Sequence, residues 1–269
     1  FWKDRWHDVG MRKWSRILFG ILIFAVVGGI AWLVWRPNEP MYKGKRLSVW
    51  LKGYVYDPIQ RPATDEAVRH IGTNAIPTLL RMLRAKDSPL KLRLVALAQK
   101  QHFFKVYFGE AWVLRTEGVF GFLALGADGK AAVPELIRMF EEDHSRDNQN
   151  LVAEALGSMG PAAAEAVPAL VRSLGDTNPL TRCYAIGGLG RIHSRPEIVV
   201  SALVKCLGDQ DARVRWLAAD AIGAFGSDAK PAVPDLLKSL DDSNATVKTY
   251  AKDTLKLIDP EALAKAGVK

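Results

Sequence analysis

The sequence predicts an all-α chain, with a single N-terminal transmembrane helix followed by an α-α superhelix, a solenoid built of two-helix repeats. Three observations predict it. Nineteen consecutive residues, Ile17 to Trp35, carry no charged or polar side chain. Columns of residues in the second half recur every 33 positions, a period that marks repeat architectures. Within each repeat the apolar residues fall at helical spacing.

Residues 1–16 read as a basic tail, with Arg12, Lys13 and Arg16 set against the apolar run. At about 1.5 Å per residue, Ile17 to Trp35 spans roughly the 30 Å hydrocarbon core of a bilayer. Trp14, Trp32 and Trp35 fall near its ends, where amphipathic rings settle among headgroups. A cleaved secretory signal shares this layout, but the run is longer than an ordinary signal core. Trp32 to Trp35 also puts bulky side chains where the peptidase needs small ones. The chain begins at Phe1, and Met11, directly before the basic cluster, reads as a natural start.

Charge supports the anchor. The formal net charge is +8, and residues 1–60 hold ten Lys and Arg against four Asp and Glu. Most of the basicity therefore flanks the apolar run, where it meets anionic lipid and biases topology. The cluster at 12–16 favours a cytoplasmic N-terminus, which places the solenoid outside the cytoplasm. Cys183 and Cys206 sit in repeat helices and read as buried free thiols.

Residues 36–62 read as a linker and a capping helix, with Ser48 as an N-cap before Val49. Residues 63–126 read as a degenerate first repeat, with Pro77, Asp87 and Arg93 as its markers. The step from Pro77 to Pro134 is 57 residues, about 24 more than one repeat. That surplus includes an aromatic stretch, His102, Phe103, Phe104, Tyr107, Phe108 and Trp112, read as an insert.

Residues 127–260 carry the regular repeats. Pro134, Pro168 and Pro234 each open Val-Pro-x-Leu, with Ser201 in the missing place. Asp143, Asp176, Asp209 and Asp242 form a second column, and Gln149, Arg182, Arg215 and Lys248 a third. Counting the third column as zero, positions +2, +3, +6, +7 and +10 form one apolar stripe, for example Leu217, Ala218, Ala221, Ile222 and Phe225. Gly160 and Gly226 end the second helix, and a proline opens the first helix of the next repeat. One such hairpin cannot bury both faces, so the repeats must stack. Residues 261–269 read as a C-terminal tail.

Proline, Asp eight residues on, Arg six beyond that, then a small-residue helix ending in Gly: this pattern resembles the HEAT-repeat family, especially its short bacterial form related to phycobilin-lyase repeats. Pro168, Asp176 and Arg182 match it, as do Pro234, Asp242 and Lys248, while Ser201, Asp209 and Arg215 lack the proline. The resemblance implies a HEAT/armadillo-like solenoid in which Asp176, Arg182, Asp209, Arg215, Asp242 and Lys248 form a ladder between repeats. The Tyr42-x-Gly44-x-x-Leu47-Ser48-x-Trp50-Leu51 segment is similar to the stretch after the anchor in membrane-tethered bacterial HEAT proteins, which implies an inner-membrane location.

A search for chemistry returns no catalytic spacing. The histidines are His7, His70, His102, His144 and His193; no two share an i, i+4 face and none is followed by Glu. Iron hydroxylases built on HEAT repeats carry paired His-Glu ligands, which this sequence lacks. It also lacks a Cys-x-x-Cys pair, a phosphate loop with Lys and a Gly-x-Ser-x-Gly elbow. No catalytic residue, metal or cofactor is expected, and His193 reads as a helix C-cap.

HEAT-like DNA glycosylases need a basic groove. The best candidate set here is Arg81, Arg84, Lys86, Lys91, Arg93, Lys100 and Lys105, which beside a bilayer reads instead as lipid-facing, like Arg12, Lys13 and Arg16. Residues 141–269 hold 15 basic and 18 acidic residues, which argues against a nucleic-acid track.

The expected function is a membrane-tethered, non-catalytic protein-interaction scaffold or accessory subunit, with a protein partner in or at the membrane. The alternatives are a lyase-like or modifying enzyme on the same scaffold, and an anionic-lipid-binding module. In such arrays the second helix lines the concave side, and columns +1 and +5 point outward. They hold Asn150, Cys183, Trp216 and Thr249, then Glu154, Gly187, Asp220 and Asp253. Trp216, Asp220, Asp253 and Glu154, together with Phe103, Phe104, Tyr107 and Trp112 of the insert, are the candidate partner-binding residues, with packing over a neighbouring repeat the alternative for Trp216 and core packing the alternative for the insert's rings.

Overall fold

A computed structural model describes residues 39–89, 92–93, 110–142 and 146–267. The apolar run at 17–35, its basic flank Arg12, Lys13 and Arg16, and Phe103, Phe104 and Tyr107 lie outside the described residues. Among the described residues no helix is long and apolar enough to cross a membrane. The chain divides into two units, 1–39 and 40–269, and every element below belongs to the second.

That unit begins with a feature the sequence reading lacks, a two-stranded hairpin of β1 (Met41–Tyr42) and β2 (Lys45–Arg46). Its turn needs positive φ at Lys43 and Gly44, 46° and 73°, the geometry that matches strand twist. Tyr42 anchors it: its hydroxyl donates to Glu66 at 2.7 Å and its ring lies 4.5 Å from that of His70.

Helices α1 (Leu47–Tyr56) and α2 (Arg61–Ile71) follow. Helix α1 starts one residue before the expected cap. Arg46 holds the N-cap position, because the hairpin delivers the Leu47 N–H to the Pro40 carbonyl at 3.0 Å, which places Ser48 inside the first turn.

Among the described residues five two-helix units follow: α3 (Ile76–Leu83) with α4 (Ala111–Leu125), α5 (Val133–Glu142) with α6 (Arg146–Ser158), α7 (Val167–Ser173) with α8 (Pro179–Ile192), α9 (Pro196–Cys206) with α10 (Ala212–Gly223), and α11 (Val233–Ser239) with α12 (Ala245–Ile258). Within each unit the two helices pack on each other, and the second helices α4, α6, α8, α10 and α12 pack in one continuous row. Buried residues such as Phe122, Leu156, Leu189, Ile222 and Leu255, all at +7, form the core of that row. The tail expected at 261–269 instead opens as helix α13 (Pro260–Lys265), capped by Asp259, with Leu263 sealing the last repeat.

Three devices repeat. Glycine at 72, 126, 160 and 226 ends the second helix at φ between 53° and 60°, a conformation costly for any residue with a Cβ. A 3₁₀ segment follows and leads into the proline of the next helix. The exception explains itself. His193 takes the left-handed cap at φ 47°, no 3₁₀ segment follows, and Pro196 starts α9 five residues ahead of Ser201, so the missing repeat proline is supplied earlier.

The third device links neighbours. Arg182 clamps Asp209 with Nε to Oδ2 at 2.8 Å and Nη2 to Oδ1 at 2.6 Å, and Arg215 clamps Asp242 at 2.7 and 2.8 Å. Each arginine also donates to the backbone carbonyl of its own repeat's aspartate, Arg182 to Asp176 and Arg215 to Asp209. Each aspartate accepts from the N–H two residues on, and that next residue, Asn178, Asp211 or Asn244, caps the second helix. One Asp-x-Asn or Asp-x-Asp triplet therefore fixes both the turn and the next repeat. In the previous unit Gln149 stands in place of the arginine, and bonds instead to Thr181 at 2.8 Å and the Phe140 carbonyl at 3.3 Å. Lys248 is exposed on α12.

The register of the first unit needs correction. Arg93 was expected as its arginine-column residue. In the regular repeats that residue stands 11 positions before the helix-ending glycine, and counting back from Gly126 gives Arg115. Asp87 accepts from the Ala111 N–H at the start of α4. The surplus therefore lies in the sequence between Asp87 and Arg115, most of which is outside the described residues.

Candidate functional site

Of the two columns expected to face outward, only one does so throughout the groove. In column +1 Cys183 is buried and Trp216 is half-buried, its ring 4.9 Å from that of Tyr250 on the next repeat. Trp216 therefore folds over its neighbour. The reason is the apolar Tyr250 face at +2, which a Trp one repeat earlier can cover. Trp112 is 51% exposed at the start of α4, and its indole N–H donates to Glu110. It stands apart from the residues below.

Column +5 opens onto a groove of about 570 Å³ across α8, α10 and α12. Ile186, Leu217, Ala221 and Tyr250 supply its apolar walls, and Leu257, 73% exposed, stands at its C-terminal edge. Asp220 and Asp253 both line it, one repeat apart. Asp253 accepts from Lys256 at 2.9 Å on its own helix. No hydrogen-bond or ion-pair partner faces Asp220 among the described residues, and desolvation against the groove wall pushes its carboxyl pKa above the ordinary value. At the other end Arg191 reaches Glu154 of the preceding repeat at 3.9 Å.

Small residues set the depth. A Cβ on Gly190 would meet that of Ala221 at 3.2 Å, and one on Gly223 would meet Thr254 at 3.1 Å, so these glycines let the helices approach. Gly187 differs. Nothing lies within 4 Å of a Cβ placed there. A glycine in mid-helix costs about 0.5–1 kcal/mol relative to alanine, and here no packing contact requires it.

The structure thus brings Asp220 and Asp253 together in one groove, with Glu154 at its margin through Arg191. Sequence reasoning missed Gly187, Tyr250 and Leu257 as site residues. The available signals were a glycine in an outward column and a leucine at +9, where Arg191 and Ala224 stand in the two preceding repeats. Two of the basic candidates lie elsewhere: Arg81 donates to Thr78 on α3, and Arg84 is paired with Glu135.

Comparison with known proteins agrees with this architecture. Residues 167–256 match the family model for HEAT repeats. That segment carries α7 to α11 and all but the last turn of α12, and with them the groove except Leu257 at its edge. The repeat solenoid recurs in solved structures. An engineered protein is 21% identical over 82% of this chain and 61% of its own, with a TM-score of 0.50. Kap121p is 16% identical over 81% of this chain and 24% of its own, at 0.50. A chain in the structure of Kap95p with RanGDP is 13% identical over 90% of this chain and 28% of its own, at 0.51. At these identities the likeness shows the fold alone, and this chain spans less than two thirds of each of them. No curated protein matches the sequence.

Proposed function

We propose that this chain is a membrane-tethered scaffold or accessory subunit that holds a protein partner along the groove of α8, α10 and α12. The groove carries the reading: an exposed concavity with aliphatic and aromatic walls, a protruding Leu257 and an unpaired carboxylate is an adhesive surface rather than a reaction centre. HEAT and armadillo-like arrays offer such surfaces, and the Kap95p structure is of a protein binding RanGDP. The carboxylates of Asp220 and Asp253 repel phosphate, which disfavours nucleic acid in this groove.

The tether is the apolar run at 17–35 with its basic flank, placed in a bacterial inner membrane with the repeats on the extracytoplasmic side. The partner is then a protein in or at that membrane. Purification of the full chain in mild detergent, followed by mass spectrometry of stoichiometric companions, tests this. A recurrent partner that the Leu257→Ser variant loses is the expected result. A chain that runs alone refutes the proposal.

A further inference from the structure

The groove also specifies what its occupant must carry. Gly187 opens one end at the expense of helix stability, with free space above it. Leu257 and the Tyr250 ring offer apolar contact at the other end, and Asp220, central between them, has no cation of its own among the described residues. Arg191 is turned toward Glu154 and Asp253 toward Lys256, so Asp220 is the charge left to be met from outside.

We infer that the groove receives a partner segment presenting one Lys or Arg to Asp220, flanked by aliphatic side chains that lodge over Gly187 and against Leu257. This rests on the docking function proposed above and adds the chemistry of the partner. A cation suits the site because the apolar walls thin the water around the Asp220 carboxylate, which strengthens an ion pair formed there. An acidic segment would meet Asp220 and Asp253 and be repelled.

The test uses the full chain in lipid nanodiscs as bait for a phage-displayed library of random peptides, followed by anisotropy titrations of the enriched sequences as synthetic peptides. Enrichment of peptides with a Lys or Arg beside aliphatic residues is expected. Their affinity should fall about tenfold or more in Asp220→Asn and in Gly187→Leu, which fills the opening from a position whose Cβ has no neighbour within 4 Å. The Ser201→Leu control on α9 should bind as the parent does. Unchanged thermal unfolding of Asp220→Asn separates lost contact from lost fold. Enriched peptides that lack a basic residue, or that ignore both groove substitutions, overturn the inference while leaving the docking proposal in place. Absence of any enrichment also overturns it. The docking proposal is tested separately, by the companions of the purified full chain.

Discussion

Arg215 and Asp242 are each only 12–13% exposed, so removing one leaves the other a buried, unmatched charge. Arg215→Ala should cost about 2–4 kcal/mol in urea unfolding, whereas Arg213→Ala, whose exposed guanidinium meets Asp211, should change stability far less. The pair also sets a pH response. The Arg215 hydrogen bonds hold the Asp242 carboxyl below its ordinary pKa, and the Arg213 hydrogen bonds bring Asp211 down to about 2. A carboxyl with a depressed folded pKa stabilises above its unfolded pKa, about 3.9, and loses that contribution as pH falls through the folded value. Stability should therefore hold from neutral pH to about 5 and decline below about 4, with a shallower decline in Arg215→Ala.

Cys183 and Cys206 are free and buried, and burial pushes the Cys206 thiol up to about 11. Both should resist alkylation at neutral pH in the folded chain and react in urea. The ladder columns were legible because they repeat every 33 residues. The role of Gln149 was not, since a departure from a column does not say that the side chain turns to Thr181 and Phe140 instead.

At the scale of the element, two kinds of glycine predict opposite outcomes. Gly226 ends α10's repeat at φ 53°, so Gly226→Ala should destabilise by about 1 kcal/mol or more. Gly187 is helical with open space above it, so Gly187→Ala should stabilise by up to about 1 kcal/mol in the same thermal or urea assay. The helices of the regular repeats were readable from apolar period, cap and proline together. Three features were less readable. The β-hairpin is two residues per strand, too short for an alternation signal. The first repeat was misaligned by anchoring on Pro77 and Asp87, when Gly126 and Pro134 keep the normal spacing to Arg115. The start of α9 moved because Pro196, outside the proline column, takes over its role.

For the whole molecule, stacking makes each repeat depend on its neighbours, and the row of second helices turns single columns into a surface. That is why the groove was only half legible: the columns name Asp220 and Asp253, but depth comes from Gly187 and from Tyr250 and Leu257 arriving off another repeat. Trp216, the obvious aromatic, is spent on packing. We propose that this surface is where a protein partner sits. Site-specific photo-crosslinking in native membranes tests it most directly, with p-benzoylphenylalanine at Ala224 in the groove and at Ser201 on α9 as the outside control. One recurrent protein adduct from Ala224, lost in Asp220→Asn, and none from Ser201 is the expected result. Equal adducts from both positions, or none from Ala224, would contradict it.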